Sequence, residues 1–278
     1  MRLLLLIAAA LTGFAANSLL TRAAIMGGHL DPWSFMGVRL VTGAGALWVL
    51  WRVREARRPP AGRERGSWAM GVWLAGYAVL FTVAYTRIDA GPGALLLFGS
   101  VQLTMFFTAM ARGERLSRIQ WAGVGLALGG LLVLTLPGLS APDPWGALLM
   151  AGAGACWGAY SLAGRRARDP LAVTTDNFIR AATGVGLLVV IAAPRGPVSV
   201  MGLALATVSG AIASGLAYAA WYAVLPSLPS WRAATIQLAV PVLTAAAATV
   251  ILAEPVTARL TAAMLLVVTG IWCATRAR

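Results

Sequence analysis

The chain has 278 residues, of which 59% are hydrophobic and only 11% are charged. A water-soluble domain carries charge on about 25% of its residues, so the composition excludes such a domain and predicts an integral membrane protein. All 22 basic residues are arginines. Because the chain has no lysine, it lacks the side chain that a Walker A phosphate loop or a Schiff base requires.

The apolar residues form ten runs, each about long enough to cross a bilayer as a helix. In chain order they cover residues 3–25, 32–51, 67–86, 90–111, 119–136, 145–164, 171–192, 200–224, 231–252 and 258–275. Asp-Pro pairs, as at Asp31-Pro32 and Asp169-Pro170, mark several breaks. The first run follows Arg2 like a signal peptide, but its repetition in the second half favours a permanent first helix.

The arginines between the runs predict how the chain is oriented. With a cytoplasmic N-terminus, sixteen arginines lie on the cytoplasmic side and four, at positions 22, 87, 195 and 259, lie outside. Short cytoplasmic loops carry an excess of arginine, so we expect both termini in the cytoplasm of a bacterial-type cell and a multi-pass protein of its inner (plasma) membrane. The net charge of +13 then indicates a lipid bilayer as the partner, and no nucleic acid.

The two halves of the sequence resemble one another. The pattern R-x-x-T-G-x-G occurs at residues 39–45 and again at residues 180–186, each time after an Asp-Pro pair. Because five helices is an odd number, the second half must be inverted in the membrane. The predicted fold is all-α and integral to the membrane, with ten transmembrane helices in two inverted five-helix repeats, residues 1–138 and 139–278, within one integrated domain.

Paired motifs give the chain its resemblance to a known family. They are Glu114-Arg115-Leu116-Ser117 and Glu254-Pro255-Val256-Thr257, Gly130 and Gly270 at the same distance after them, Trp157-Gly158, and Pro241. Phe14-Ala15 stands in the first half at the place that Trp157-Gly158 holds in the second. With these motifs the chain resembles the EamA-type drug/metabolite transporters, and among them the YddG-type exporters of aromatic and other apolar amino acids. The resemblance implies a membrane transporter for a small molecule.

Two arginines lie about two turns inside their helices, Arg39 in the second run and Arg180 in the seventh. Charge within a membrane is costly and is usually functional, so these arginines are candidates for attracting a substrate carboxylate. The alternative is structural, in which each binds carbonyl groups at a neighbouring helix end. Their matched positions favour the structural role, because one asymmetric substrate rarely needs two equivalent charges.

Aromatic residues form stripes at helical spacing, and the sequence predicts that they line a substrate cavity together with amide side chains. The predicted substrate-binding residues are Asn17, Tyr77, Phe81, Tyr85, Phe98, Trp157, Tyr160, Tyr218, Trp221, Tyr222 and Gln237, with Asn177 as a further amide. Packing against lipid is the alternative, but it suits leucine and valine better than tyrosine. Glycines at four-residue spacing, Gly125/Gly129 and Gly154/Gly158, indicate close helix packing.

Three classes of function remain open. The favoured class is an exporter of small metabolites by alternating access, as uniport or exchange, since no buried carboxylate relay is visible. The alternative exporter carries a drug, nucleoside or sugar with proton coupling through Asp176, Glu114 or Glu254. An intramembrane enzyme needs clustered His, Asp or Glu, and the chain has a single histidine, His29, so we expect no catalysis.

A structural membrane subunit is the third class, and it does not require matched polar and aromatic positions inside. His29, Cys156 and Cys273 are scattered along the chain and do not form a zinc motif, so we expect no metal and no cofactor. The sequence leaves the oligomeric state open, and a monomer is compatible with the predicted architecture.

Overall fold

A computed structural model describes residues 2–57, 64–113, 117–138, 140–165, 167–192, 196–228 and 236–276. The helices are α1 (Arg2–Met26), α2 (Pro32–Glu55), α3 (Trp68–Ala84), α4 (Ala90–Ala111), α5 (Arg118–Thr135), α6 (Pro144–Gly164), α7 (Pro170–Ala192), α8 (Val200–Val224), α9 (Ala239–Ile251) and α10 (Ala258–Arg276). A short 3-10 turn, Leu225–Ser227, follows α8. Among these residues the one β-type contact is an isolated bridge between Leu30 and Val198.

The helices follow the apolar runs of the sequence. Eight of those in the described ranges are long and apolar enough to cross a membrane, whereas α3 and α9 are apolar but have only 17 and 13 residues. The described chain is therefore an all-helical, multi-pass integral membrane protein. The first residues of the ninth run, from 231, lie outside the described residues, as do Glu114, Arg115 and Leu116 of the first Glu motif.

Aspartates at the predicted breaks cap the helices that follow them. Asp31 accepts hydrogen bonds of 3.0 Å from the backbone N–H groups of Trp33 and Ser34 at the start of α2. Asp143 accepts one of 2.7 Å from the N–H of Gly146 at the start of α6. The first turn of a helix leaves its N–H groups without partners, and these carboxylates satisfy them. The breaks read from the sequence therefore coincide with helix starts.

The outer surface of the helices is apolar. Val190, Ile191 and Val250 are 75%, 71% and 86% exposed. Trp68 and Trp145, in the first turns of α3 and α6, are also exposed, as expected for tryptophans at a membrane–water interface. A surface of this kind faces lipid rather than water.

α5 and α10 pack antiparallel through small residues. A Cβ atom built on Gly270 would lie 2.5 Å from the carbonyl oxygen of Gly123, and one built on Gly130 would lie 2.9 Å from that of Ala263. Only glycine allows backbones to approach this closely. Gly130 and Gly270, which the sequence pairs across the halves, therefore hold these two helices together.

The other glycine pairs differ in their surroundings. Gly154 and Gly158 face the backbone of α4, where added Cβ atoms would lie 2.5 Å from the carbonyl oxygen of Leu97 and 3.2 Å from that of Val101. Gly125 and Gly129 have no neighbouring atom within 4 Å of an added Cβ. Close helix packing is thus found at Gly154 and Gly158. The expectation of close packing is wrong for Gly125 and Gly129, because their side of α5 faces outward.

A π-helical segment, Ser209–Leu216, interrupts α8 between Val200–Val208 and Ala217–Val224. It packs against α2, where Gly210 meets the backbone of Arg39 and the side chain of Thr42. A π turn shifts the residues after it around the helix axis, and such turns are frequent at functional sites. The helical spacing used in the sequence analysis does not predict this segment.

Gly270→Val is expected to destabilise the protein, because its side chain would overlap the backbone of Gly123 and of Ala127. Overpacking of this kind costs about 1–3 kcal/mol, so the midpoint of thermal unfolding in detergent should fall. Gly129→Val, which meets no atom within 4 Å, is the matched control and should unfold near the midpoint of the parent. Equal loss in the two variants would contradict the packing of α5 on α10.

Candidate functional site

A small cavity lies at the centre of the protein, where α1, α3, α4, α6 and α8 approach one another. Its lining consists of Phe14 and Asn17 from α1, Tyr77 and Phe81 from α3, Leu97 and Phe98 from α4, Trp157 from α6, and Tyr218 from α8. Residues from before and after position 138 contribute to it. The cavity is therefore shared by the two halves of the chain.

Trp157 is the centre of an aromatic wall in this cavity. Its ring centroid lies 5.3 Å from that of Tyr77, 4.8 Å from that of Tyr218, and 5.4 Å from that of Tyr160, with which it stacks. Aromatic rings at such distances attract one another beyond the effect of burial alone. Because the rings come from α3, α6 and α8, their contacts fix these three helices around the cavity.

Asn17 supplies the polar part of the lining. Its Nδ2 donates a hydrogen bond of 3.1 Å to the hydroxyl of Tyr77, and its Oδ1 accepts one of 2.7 Å from Ser209 in the π-helical segment. All three side chains are buried. A buried amide is costly unless its donors and acceptors find partners, so these bonds determine which way the amide points.

Arg39 lies beside this group and is fully buried, with 2% of its surface exposed. Its Nη2 donates to the Tyr77 hydroxyl at 3.2 Å, and its Nε donates to Ser214 at 3.3 Å. The guanidinium carbon lies 4.9 Å from the ring centroid of Phe81. Nη1 has no hydrogen-bond partner, and no carboxylate of the described residues forms an ion pair with Arg39.

Arg180, the repeat counterpart of Arg39, has different surroundings. Its Nη1 lies 3.6 Å from a carboxylate oxygen of Asp176, one turn earlier on α7. Its guanidinium carbon lies 5.5 Å from the ring centroid of Trp68. The structure thus places Arg39 beside the cavity without an acid as partner, and it places Arg180 beside Asp176. The two arginines therefore differ in their surroundings, and a structural role for them stays a prediction.

The structure brings together six of the predicted substrate-binding residues in the lining: Asn17, Tyr77, Phe81, Phe98, Trp157 and Tyr218. Four others stand behind them. Tyr85 contacts Phe81, Tyr160 stacks on Trp157, Trp221 contacts Phe14, and Tyr222 lies beside Tyr160. Gln237 is buried but does not line the cavity. Asn177 is also outside it, and accepts a hydrogen bond of 3.1 Å from the N–H of Ser67 at the start of α3.

Sequence reasoning missed four residues of this site. Phe14 and Leu97 line the cavity, and Ser209 and Ser214 bind the polar side chains beside it. Phe14 had a signal, because it aligns with Trp157 in the other half. The serines had none, since their direction depends on the π-helical segment and their partners lie on other helices.

The cavity is too small for a metabolite in this conformation. The volume open to the centre of a water molecule is about 10 Å³, which is about the room that one water needs. Any larger ligand requires the surrounding helices or rings to move apart. In the described part of the chain, no three His, Cys, Asp or Glu side chains are grouped so that they could hold a metal ion.

Polar contacts close one end of the helix bundle, which we call the Arg22 end. Arg22 of α1 binds Asp89 at 2.6 Å, Glu254 at 3.4 Å, and the carbonyl oxygen of Tyr85 at 2.9 Å. Glu254 also accepts a hydrogen bond of 2.7 Å from the N–H of Ala90 at the start of α4. Glu254 belongs to the second half and its partners to the first, so these contacts join the halves.

A second group of contacts joins the halves at the opposite end, which we call the Arg54 end. Arg54 of α2 donates a hydrogen bond of 2.8 Å to Asp169 before α7, and the N–H of Asp169 donates one of 2.6 Å to Glu64. The N–H of Gly66 donates one of 3.2 Å to Asp176. Both ends of the bundle are therefore tied across the two halves.

The fold and the site define a multi-pass membrane protein built around a small, aromatic central cavity shared by its two halves. The chain belongs to the EamA-like transporter family, whose model matches residues 1–136 and 144–276. The membership confirms the family resemblance seen in the paired motifs. The protein is thus a membrane transporter.

The chain is also similar to individual proteins, two of which are named as a transporter or an efflux pump. An uncharacterized protein of Pseudomonas aeruginosa is 48% identical over 270 residues, covering 97% of this chain and 93% of that protein. A Salmonella typhimurium protein named a probable amino-acid metabolite efflux pump is 26% identical over 211 residues, covering 70% and 71% of the two chains. The uncharacterized inner membrane transporter YedA of Escherichia coli is 22% identical over 160 residues, which are 57% of this chain and 52% of that protein.

A solved crystal structure shares the fold. It superposes on this chain with a TM-score of 0.71 at 23% sequence identity, and the match covers 98% of both chains. The helical arrangement described above is therefore one that another protein adopts over its whole length.

The Arg22 end is expected to close more firmly as the pH falls from neutral. Burial raises the pKa of the Glu254 carboxyl above its ordinary value, followed by repulsion from Asp89, while the Ala90 N–H and Arg22 oppose the shift. A glutamate exposed by opening has a lower pKa than the closed form, so protons bind the closed form more tightly and favour it. The measurement is the rate of thiol labelling at Leu19→Cys, a buried site packed against Ala90.

The labelling experiment uses a variant without Cys156 and Cys273 and a reagent that reacts at acidic pH. Glu254→Gln in the same background is the control. The labelling rate with Glu254 is divided by the rate with Glu254→Gln, which removes the pH dependence of the thiol itself. This ratio should fall as the pH is lowered from neutral towards the raised pKa of Glu254. A ratio that does not change with pH would refute the role of this carboxyl in closure.

Proposed function

We propose that this transporter exports small metabolites, chiefly amino acids with aromatic or apolar side chains, through the central cavity. The observation that carries the proposal is the lining itself, in which aromatic rings from both halves surround the buried amide of Asn17. Rings suit an apolar or aromatic side chain, and the amide and hydroxyl groups suit an amino acid's polar end. The efflux-pump name of the Salmonella typhimurium relative supports this substrate class.

The mechanism we propose is alternating access between two inverted repeats, residues 1–138 and 139–278, which together cross the membrane ten times. The contacts of Gly130 with Ala263 and of Gly270 with Gly123 support the inversion. Adding 140 to a residue of α5 gives its counterpart in α10, so exchanging the halves turns one contact into the other. The two ranges matched by the family model divide the chain near the same boundary.

The two shortest helices are compatible with ten crossings. The 17 residues of α3 extend for about 26 Å at 1.5 Å per residue, close to the thickness of a hydrocarbon core. α9 has 13 residues in the described part of the chain and begins at Ala239, three residues after position 236, where the description resumes. Two more crossings give an even number and place both termini on one side, which we propose is the cytoplasm.

Opening of the cavity at one end requires the cross-half contacts of that end to break. At the Arg22 end these are the contacts of Glu254 with Arg22 and with the N–H of Ala90. At the Arg54 end they are the contacts of Arg54 and Glu64 with Asp169. Because the cavity lies between the two groups, breaking them in turn would expose a bound substrate first to one side and then to the other.

We propose that transport is uniport or exchange rather than proton-coupled. Two of the coupling candidates lie near the bundle ends, and both Asp176 and Glu254 have a cation or backbone N–H groups as partners and stand apart from the cavity. A zwitterion carries no net charge, so its passage costs nothing against the membrane potential, whereas a net charge costs about 2.3 kcal/mol per 100 mV.

Counterflow in proteoliposomes tests the proposed function. Proteoliposomes loaded with unlabelled phenylalanine should take up labelled phenylalanine at equal pH on both sides, with ionophores collapsing every ion gradient. Trp157→Ala should raise the half-saturating concentration about two- to tenfold, the equivalent of losing 0.5–1.5 kcal/mol of aromatic contact. Trp73→Ala removes a tryptophan of α3 that is 44% exposed and outside the cavity, and serves as the matched control.

Three results would count against the proposal. Absence of counterflow for every amino acid would reject the substrate class. Uptake that occurs only with an imposed pH gradient would reject the passive mechanism. Equal effects of Trp157→Ala and Trp73→Ala would reject the cavity as the substrate site.

The orientation is tested by labelling single cysteines in intact cells, in the variant without Cys156 and Cys273. A reagent that does not cross membranes should modify Pro142→Cys, in the loop before α6. It should modify Arg57→Cys, after α2, only once the membrane is permeabilised. The reverse pattern would place the termini outside the cell.

A further inference from the structure

We propose that Arg39 is the residue that recognises the carboxylate of the substrate, so that the transporter selects solutes carrying a carboxylate group. The inference rests on the proposed function of the central cavity as the substrate site. It starts from a feature that packing alone leaves unexplained, namely a fully buried guanidinium that forms no ion pair with the described residues.

The hydrogen bonds of Arg39 leave part of its donor capacity unused. A guanidinium has five N–H donors, charged at any physiological pH. Here Nη2 and Nε donate to neutral hydroxyl groups, of Tyr77 at 3.2 Å and Ser214 at 3.3 Å, while Nη1 has no hydrogen-bond partner among the described residues. A buried charge is retained at low cost only when it is paired, so the described contacts stabilise this arginine incompletely.

The rings beside Arg39 stabilise it in part. The guanidinium carbon lies 4.9 Å from the ring centroid of Phe81 and 5.4 Å from that of Tyr77. Cation–π contacts of this kind favour a cation over the face of an aromatic ring. They do not saturate the N–H groups, which point in the plane of the guanidinium and which a carboxylate matches with two parallel hydrogen bonds.

Arg39 lies beside the cavity, against two residues of a lining that does not include it. Tyr77 and Phe81 both line the cavity, and Arg39 contacts both rings. The hydroxyl of Tyr77 already accepts from Arg39 and from Asn17, another lining residue. A carboxylate entering beside Tyr77 would therefore replace its hydroxyl as the acceptor for both groups, and would also satisfy Nη1.

Arg180 provides the comparison within the same chain. It occupies the matching position of the other repeat, but Asp176 lies 3.6 Å from its Nη1 and the cavity lining does not include its neighbours Trp68 and Asp176. An acid of the protein already accompanies this charge. Carboxylate recognition therefore belongs to Arg39 alone of the two.

The test measures ligand binding, as stabilisation of the purified transporter against heat, with three matched ligands. Phenylalanine has both a carboxylate and an amine, phenylalaninamide lacks the carboxylate, and 3-phenylpropionate lacks the amine. The parent should bind both carboxylates at least about tenfold more tightly than the amide, as expected for hydrogen bonds to a charged group. Arg39→Gln should lose this preference, and Arg180→Gln should keep it.

Arg39→Lys serves as the second variant should Arg39→Gln fold poorly. A lysine keeps the positive charge but cannot form two parallel hydrogen bonds. It should retain the preference for carboxylates and bind them more weakly than the parent. Restored preference with a lysine and lost preference with a glutamine separate recognition of charge from a packing role.

Two results would overturn the inference. One is equal binding of phenylalanine and its amide by the parent, which needs no variant at all. The other is an unchanged preference in Arg39→Gln. The proposed function is judged separately by counterflow: phenylalanine exchange without a carboxylate preference rejects the role of Arg39 alone. If 3-phenylpropionate binds through Arg39 but no amino acid is exchanged, the proposed amino-acid substrate is rejected and carboxylate recognition by Arg39 is retained.

Discussion

A bilayer offers no water to a polar side chain, so polar groups at mid-membrane depth must find their partners inside the protein. In this transporter the constraint draws polar groups from four helices to one place. Asn17 of α1 binds Tyr77 of α3 and Ser209 of α8. Arg39 of α2 binds Tyr77 and Ser214. Because each of these groups would be left unsatisfied by displacement of another, they fix how α1, α2, α3 and α8 meet.

Much of the fold could be predicted from the sequence because membranes impose simple rules. The apolar runs predict the helices, and capping residues such as Asp31 and Asp143 mark where α2 and α6 begin. The aromatic stripes also led to the cavity, since tyrosine at depth is disfavoured against lipid. The partners of Arg39 could not be predicted, because Ser214 is 175 residues away and faces it through the π-helical segment.

The halves of the chain share motifs but have diverged in their polar chemistry. The residue one turn before each arginine shows this difference. It is the buried Phe35 before Arg39 on α2, and it is Asp176 before Arg180 on α7. The aspartate supplies Arg180 with a partner on its own helix, whereas the phenylalanine leaves Arg39 to find partners on α3 and α8. The residue at this matched position is thus one difference between the surroundings of the two arginines, and both residues are visible in the sequence.

The unpaired charge of Arg39 also has a consequence for what the closed transporter must keep out. A second positive charge about 5 Å from a guanidinium is repelled by about 3 kcal/mol at an effective dielectric constant near 20. Sodium ions and hydronium that enter the cavity beside Arg39 meet that repulsion, as they do at the arginine of water channels. A cell that maintains a proton gradient across its membrane would therefore lose little of it through this protein, even during the moments when the helices loosen.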